Sequence, residues 1–306
     1  MKVFVTGVNG QLGHDVVNEL SCRGHTVCGS DLKPVYSGVA DGTYVTRAPY
    51  VSLDITQQKD VLNVLGQVRP DAVIHCAAWT AVDAAQEPEN RGVVFAVNEG
   101  GTRNIAYASR AVNAKMIYIS TDYVFDGKGT DPWQADCLDF SPLNVYGESK
   151  LAGEKAVREI LERAFIVRTA WVFGLNGKNF VRTMVSLGKT HRQLRVVNDQ
   201  IGTPTYTPDL ARLLVDMVQT DRFGTYHATN EGGYISWAQF AAEIFRQTGQ
   251  DVTVLPVTTA EYGLSKAKRP FNSRLSKDKL SQAGFERLPT WQDALARYLK
   301  EAALLP

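Results

Sequence analysis

The sequence lacks an excess of charge of either sign, because its 33 lysine and arginine residues nearly balance its 32 aspartate and glutamate residues. No general electrostatic field is therefore available to attract nucleic acid or an anionic membrane. We expect neither partner, and small-molecule chemistry becomes the first expectation for the function.

Cysteine and long apolar runs are scarce as well. The chain has four cysteines, with neither a C-x-x-C pair nor the spacing of a disulfide framework, which fits a reducing cytosol. No apolar run is long enough to span a bilayer, and the first residues are typical of a strand rather than of a charged leader before an apolar core. We therefore expect a soluble, cytoplasmic protein.

What the chain does have is an alternation of short apolar runs with longer segments of helical period. The runs predicted to be buried strands cover residues 3–6, 26–30, 72–76, 116–120 and 165–168, and the predicted helices cover 11–23, 56–68, 98–112 and 142–163. This order predicts an α/β fold of the Rossmann type, with a doubly wound parallel sheet and right-handed crossovers.

The alternation weakens after residue 168, which predicts two unequal parts. We expect a dinucleotide-binding domain over residues 1–170, joined by part of 195–230. A smaller substrate-binding α/β part over 171–306 is expected to close over the carboxyl edge of the sheet. Residues 33–49 hold Pro, Gly and Ser without clear period, and are predicted to form a loop on the rim.

A glycine-rich loop, TGVNGQLG at residues 6–13, follows the first strand and opens the first helix. Gly7, Gly10 and Gly13 permit a tight turn, a close approach of pyrophosphate to backbone, and close packing of helix on strand. The helix N-terminus then presents free N–H groups to the phosphates. Glycine spacing alone is weak evidence, but its position at this junction predicts a dinucleotide site.

Two carboxylates are candidates for the adenosine end of the cofactor. Asp31 closes the second strand, where it can accept hydrogen bonds from the ribose hydroxyls and disfavour a ribose phosphate. Lys33 can offset that repulsion, so the choice between NADP(H) and NAD(H) stays open. Asp54 can reach the adenine, although Asp54 and Thr56 are also good helix-capping residues.

Tyr146 and Lys150 place a phenol and an ammonium four positions apart on a predicted helix, hence on one face. A phenol titrates near a pKa of ~10, and a nearby ammonium is expected to lower that value. Tyr146 can then donate a proton to a carbonyl oxygen while Lys150 supports the phenol and the nicotinamide ribose. Thr121, at the end of another strand, offers a hydroxyl to orient the oxygen.

Longer strings sharpen this pattern. Residues 10–13, 77–83, 120–125, 142–147, 198–205 and 269–274 resemble the dTDP-4-dehydrorhamnose reductase family of the extended short-chain dehydrogenase/reductase superfamily. The resemblance covers most of the chain. It implies reduction of the C4 ketone of dTDP-4-dehydro-L-rhamnose to dTDP-L-rhamnose, an activated sugar for cell-surface polysaccharide, by NADPH or NADH.

The resemblance and the motifs together predict three groups of site residues. The catalytic group is Thr121, Tyr146 and Lys150. The cofactor-binding group adds to Tyr146 and Lys150 the residues Gly7, Asn9, Gly10, Gln11, Leu12, Gly13, Asp31, Asp54, Ala77, Ala78 and Asn98. The substrate-binding group is Thr121, Asp122, Trp171, Asn179 and Arg274. A tryptophan after a buried strand is also often core, and Arg274 can equally be an exposed arginine without a ligand.

No metal site is predicted. Some family members carry at the position of Asp15 a glutamate tied to magnesium at a dimer interface, but here we expect a solvated helix carboxylate with His14 beside it on the surface. The sequence therefore gives no support for Mg²⁺. A homodimer is the ordinary expectation for a soluble enzyme.

Other functions remain open. Sugar-nucleotide dehydratases of the superfamily use a Thr-Asp-Glu run, whereas this chain has Thr121-Asp122-Tyr123. An epimerase or a reductase of another sugar nucleotide is an alternative. So is a cofactor-binding regulatory subunit without catalysis, resembling that of methionine adenosyltransferase.

Overall fold

The computed structural model describes residues 1–39 and 42–304. The strands in these ranges are β1 (Lys2–Thr6), β2 (Thr26–Asp31), β3 (Tyr50–Ser52), β4 (Ala72–His75), β5 (Lys115–Thr121), β6 (Ala164–Thr169), β7 (Val172–Phe173), β8 (Gln193–Val197), β9 (Ile201–Gly202), β10 (Thr205–Tyr206), β11 (Gly224–His227), β12 (Ile235–Ser236) and β13 (Thr253–Val257). Seven of these described strands are parallel and form the central sheet, in the order β11-β6-β5-β4-β1-β2-β3. The others among them pair as short two-stranded ribbons, β10 with β7, β12 with β9 and β13 with β8.

Helices cover both faces of this sheet, as the doubly wound prediction requires. They are α1 (Gln11–Cys22), α2 (Gln58–Val68), α3 (Val82–Ala85), α4 (Arg91–Phe95), α5 (Thr102–Ala111), α6 (Val145–Ile160), α7 (Phe180–Gly188), α8 (Thr207–Val218), α9 (Trp237–Thr248), α10 (Thr259–Tyr262), α11 (Asp278–Gln282) and α12 (Trp291–Glu301). Apolar side chains of α1 and α8 pack on one face of the sheet, and those of α2, α5 and α6 pack on the other. The predicted α/β fold class is confirmed.

A separate apolar cluster joins α7, α9 and α12 with the short strands that follow β6. The chain returns from this region through β11, which pairs with β6 at the edge of the main sheet. The central sheet therefore includes a strand from residues 195–230.

Some helices begin at other residues than the apolar period predicts, because local capping or helix geometry sets their ends. The helix predicted over 142–163 begins at Val145, because the side chain of Asn144 caps it by accepting a hydrogen bond from the Gly147 N–H at 2.9 Å. A π-helical segment, Ala96–Gly101, precedes α5. The predicted rim loop over 33–49 contains one 3₁₀ turn, Tyr44–Thr46, while its residues 40 and 41 lie outside the described residues.

The expectation of a solvated surface at His14 and Asp15 is wrong. Both side chains are buried, and α1, which carries them, packs against α8 and the 3₁₀ turn. The Nδ1 atom of His14 lies 2.6 Å from the hydroxyl oxygen of Tyr36.

Candidate active site

A cavity of about 1040 Å³ opens at the carboxyl edge of the sheet. In open α/β sheets this edge is where ligands bind. Fifteen of the residues predicted from the sequence line it: Gly7, Asn9, Gly10, Gln11, Leu12, Gly13, Asp31, Asp54, Ala77, Ala78, Thr121, Asp122, Tyr146, Lys150 and Trp171.

The glycine loop forms a cradle in which side chains would collide with neighbouring backbone. Gly7 has a φ of +75°, and a Cβ there would lie 2.6 Å from the backbone N of Ala77. At Gly13 a Cβ would lie 2.3 Å from the carbonyl oxygen of Gly7. Helix α1 starts at Gln11, within this glycine-rich stretch, and Gly10, Gln11 and Leu12 line the cavity, so the positive N-terminal end of the helix faces it. The residues present therefore fit a bound pyrophosphate.

Asp31 ends β2 beside this loop, where it accepts two backbone hydrogen bonds. The N–H of Asn9 donates to Oδ2 at 2.9 Å and the N–H of Leu32 donates to Oδ1 at 2.8 Å. Each carboxylate oxygen can accept more than one hydrogen bond, so ribose hydroxyls can still be accommodated. The carboxylate thus fixes the glycine loop as well as lining the cavity.

Asp54 makes a local turn. Its Oδ1 accepts from both the N–H and the hydroxyl of Thr56, at 2.9 and 2.7 Å, just before α2. The predicted alternative of a helix cap is not what the structure has, because Gln57 is the N-cap of α2 and no side chain caps that helix. Asp54 also lies on the cavity wall.

Tyr146 lies in the first turn of α6, with its ring packed edge-on against Tyr123 at 5.7 Å between centroids. Burial raises the pKa of its phenol well above the usual value, the negative charge of Asp122 raises it further, and a hydrogen bond with Thr121 opposes both effects. The expectation that Lys150 lowers this pKa is therefore wrong. The phenol keeps its proton at neutral pH, which suits a proton donor.

Lys150 follows one turn later and is only 3% exposed. Its Nζ lies 4.2 Å from the centre of the Tyr118 ring, a cation–π contact. Burial lowers the pKa of this ammonium to about 7, although Glu154 and Cys76 favour the charged form. The same burial that keeps Tyr146 protonated therefore weakens the charge of Lys150.

Thr121 and Asp122 complete the cluster at the end of β5. The Thr121 hydroxyl donates to Asp122 Oδ1 at 2.9 Å and accepts from the N–H of Tyr123 at 3.2 Å. Burial raises the pKa of Asp122 to about 6, while hydrogen bonds with Ser273 and Thr121 oppose the shift. These side chains bring a hydroxyl and a carboxyl group beside the phenol.

Three predicted residues lie outside the cavity lining. Asn98, in the π-helical segment, supports the backbone of Trp79, which lines the cavity. Its side chain accepts a hydrogen bond from the Trp79 N–H at 2.8 Å and donates one to the Trp79 carbonyl at 3.1 Å. Asn179 caps α7 by accepting from the Arg182 N–H at 3.0 Å. Arg274 donates through Nη1 to Asn272 Oδ1 at 3.0 Å.

Among the residues of the cavity wall that sequence reasoning did not select are Asn176 and Trp237. Asn176 Nδ2 donates to the carbonyl of Asn9 at 3.0 Å across 167 positions of sequence. Trp237 stacks on Trp171 with ring centroids 3.7 Å apart. Neither lies in a motif, and only the folded chain brings them to the site.

Within the described ranges, no group of three or more His, Cys, Asp or Glu residues is placed to hold a metal ion. A search of the same residues found no helix with the length and apolar character needed to cross a bilayer.

Comparison with known proteins identifies the family of this chain. The family model described as RmlD substrate binding domain matches residues 1–304. The dTDP-4-dehydrorhamnose reductase of Streptomyces griseus is 40% identical over 95% of this chain and 91% of its own length. The spore coat polysaccharide biosynthesis protein SpsK of Bacillus subtilis is 38% identical over 98% and 97%.

A solved structure agrees. The dTDP-4-dehydrorhamnose reductase of Bacillus anthracis, crystallised in complex with NADP, is 40% identical, covers 98% of this chain and 99% of its own, and superposes with a TM-score of 0.88. With a matching family model over nearly its whole length and relatives at this level of identity, the chain belongs to the dTDP-4-dehydrorhamnose reductase family.

Proposed function

We propose that this protein reduces the C4 ketone of dTDP-4-dehydro-L-rhamnose to dTDP-L-rhamnose, with NADPH or NADH as the reductant. The observation that carries the proposal is the cluster of Thr121, Tyr146 and Lys150 in one cavity with the glycine cradle. The reductases named above support the substrate. The NADP complex of the Bacillus anthracis relative supports the cofactor.

In this proposal the chain's own residues bind the cofactor, orient the reacting groups and protonate the ketone oxygen. The nicotinamide cofactor, when bound, supplies the hydride. Gly7, Gly13 and the start of α1 hold its pyrophosphate, and Asp31 meets its adenosine ribose. Tyr146 donates the phenolic proton to the oxygen of the ketone. Lys150 and Thr121 orient the reacting groups beside the phenol.

The substrate side is proposed to lie against Asp122 and Trp171, which face the same cavity from β5 and from the turn after β6. The division of the chain into a dinucleotide-binding domain over 1–170, with part of 195–230, and a substrate-binding part over 171–306 is proposed on the same basis. A cytoplasmic location is proposed from the four free cysteines.

The experiment is to mix the purified protein with dTDP-4-dehydro-L-rhamnose and follow the loss of reduced-nicotinamide absorbance, with NADPH and NADH assayed separately. Catalytic oxidation of either coenzyme supports the reductase, and the ratio of the two rates gives the coenzyme preference. Absence of oxidation with cofactor still bound contradicts the proposal. NAD retained through purification, with interconversion of epimers, favours an epimerase.

A further inference from the structure

The backbone at Trp171 is in a conformation that tryptophan rarely adopts. Its φ is +51°, in the left-handed region, where the side chain crowds its own backbone. Such a conformation persists only where the surroundings impose it, and it is found preferentially at functional sites. The residue therefore calls for a structural cause.

Contacts with two neighbours supply that cause. Gly202 lies close to the indole, since a Cβ there would sit 2.9 Å from Trp171 Cε2. The ring of Trp237 stacks on that of Trp171, nearly parallel at 14° and with 3.7 Å between centroids. The Trp171 carbonyl also accepts a hydrogen bond from the Thr205 N–H at 3.1 Å. The indole is therefore held by two neighbours and through its own backbone.

Trp237 is itself anchored in the core of the substrate-side region. It packs against Phe180 at 4.7 Å between centroids, and Phe180 packs on Phe240 at 5.7 Å. Trp237 is the first residue of α9, and the start of this helix is fixed by a capping box in which Ser236 and Gln239 hydrogen-bond reciprocally. A continuous series of rings thus runs from the buried Phe240 to the cavity wall.

We propose that Trp237 is a positioning residue for the substrate, holding the Trp171 indole in a single orientation so that the sugar ring meets a fixed, flat, apolar face. Sugar rings present C–H groups on their faces, and these groups pack well on an aromatic ring. A side chain fixed before binding costs less entropy when the ligand arrives. The inference rests on the proposed function, because it assumes that the nucleotide sugar lies against Trp171.

The test compares Trp237→Ala with Trp237→Phe and with the wild type. Trp237→Ala removes the support, and KM for the sugar nucleotide is expected to rise about tenfold, equivalent to about 1.4 kcal/mol, with a smaller fall in kcat. Trp237→Phe keeps a flat ring and is expected to restore KM to within about threefold of wild type. The Kd for NADPH measured without sugar nucleotide is expected to stay unchanged in both variants.

A spectroscopic measurement checks the stack itself. Two stacked indoles couple their electronic transitions and give a pair of bands of opposite sign in far-UV circular dichroism. Both variants are expected to lose this pair. Tyr44→Ala, which truncates an exposed ring away from the cavity lining, is the matched control and should keep the bands and KM.

A second perturbation acts on the indole through Gly202, its other close neighbour. Gly202→Ala leaves Trp237 intact but crowds Trp171, and it is expected to raise KM for the sugar nucleotide as Trp237→Ala does. The variant also keeps the test decisive if Trp237→Ala does not fold. Unchanged KM in folded Trp237→Ala, or in folded Gly202→Ala, overturns the inference. Turnover by the wild type tests the proposed function, and the ratio of variant KM to wild-type KM tests the role of Trp237. The proposed function and this inference can therefore fail separately.

Discussion

The cofactor side and the substrate side of the cavity are built differently. On the cofactor side the functional groups sit at the ends of β1, β2, β4 and β5, at the carboxyl edge of one parallel sheet. On the substrate side the chain forms two-stranded ribbons and an aromatic series, and the wall is assembled from residues far apart in sequence. Local motifs therefore identify the first side, whereas the second depends on tertiary packing.

The largest effect is expected on the cofactor side, from a substitution of the proposed proton donor. Tyr146→Phe keeps the ring that packs on Tyr123 but removes the proton donor. We expect kcat to fall by about 10²–10⁴-fold, with unfolding free energy and the Kd for NADPH close to wild type. Single-turnover kinetics of NADPH oxidation measure the effect. A kcat within a few-fold of wild type would assign proton donation to another group.

The helix that carries Tyr146 is held by a buried ion pair that no motif indicates. Glu154 and Arg168 are both fully buried and form a two-pronged pair, with Nε to Oε1 and Nη2 to Oε2 each at 2.8 Å. Glu154→Gln leaves a buried guanidinium without its counter-charge, and we expect a loss of about 3–5 kcal/mol of unfolding free energy.

Equilibrium denaturation in urea measures this loss, and the chain offers a control on the same helix. Glu159 pairs with Arg103 at 3.1 Å, but its side chain is 62% exposed. Glu159→Gln is therefore expected to cost less than about 1 kcal/mol. Equal effects of the two substitutions would mean that burial does not determine the contribution of the Glu154 pair.

How much could be predicted follows from the same contrast. The parallel sheet is predicted by the repeated alternation of apolar runs and helical segments along the chain. The glycine cradle and the Tyr146–Lys150 helix are predicted by local spacing, because each motif is short and contiguous in sequence. The burial of His14 and Asp15 was missed because local period does not show tertiary packing, and α1, which carries them, packs against α8, nearly 200 positions later. The pKa of Tyr146 was predicted in the wrong direction, since spacing gives proximity to Lys150 but not the degree of desolvation.

Alanine substitutions at two glycines distinguish backbone strain from crowding in the glycine cradle, and their effects are expected to be smaller. Gly7 and Gly24 have nearly the same φ, +75° and +76°, but only Gly7 has neighbours where a Cβ would lie. Both alanine substitutions are expected to lose about 1–2 kcal/mol from the left-handed backbone. Gly7→Ala also pushes against Ala77, so its affinity for NADPH should fall at least about tenfold. Titration of intrinsic fluorescence with NADPH distinguishes the variants, and similar Kd values in both would contradict the cradle.

The smallest effect is expected on the substrate side, at Asn179. Its side chain caps α7 and donates to Gln11 Oε1 at 3.1 Å and to the Tyr298 hydroxyl at 3.0 Å, so the structure gives it a supporting position outside the cavity lining. Asn179→Ala is expected to cost about 1 kcal/mol of unfolding free energy, the usual value of a helix cap, and to leave KM for the sugar nucleotide within about twofold.

Thr290→Ala is the matched control, because Thr290 caps α12 in the same way, accepting from the Asp293 N–H at 3.4 Å. The two variants should lose similar stability and keep similar KM values. A rise in KM confined to Asn179→Ala, with stability unchanged, would instead give Asn179 a direct contact with the nucleotide diphosphate. The family motif would then have identified a substrate contact that the hydrogen bonds of Asn179 do not reveal, and the contrast between the two sides of the cavity would be weaker than their construction implies.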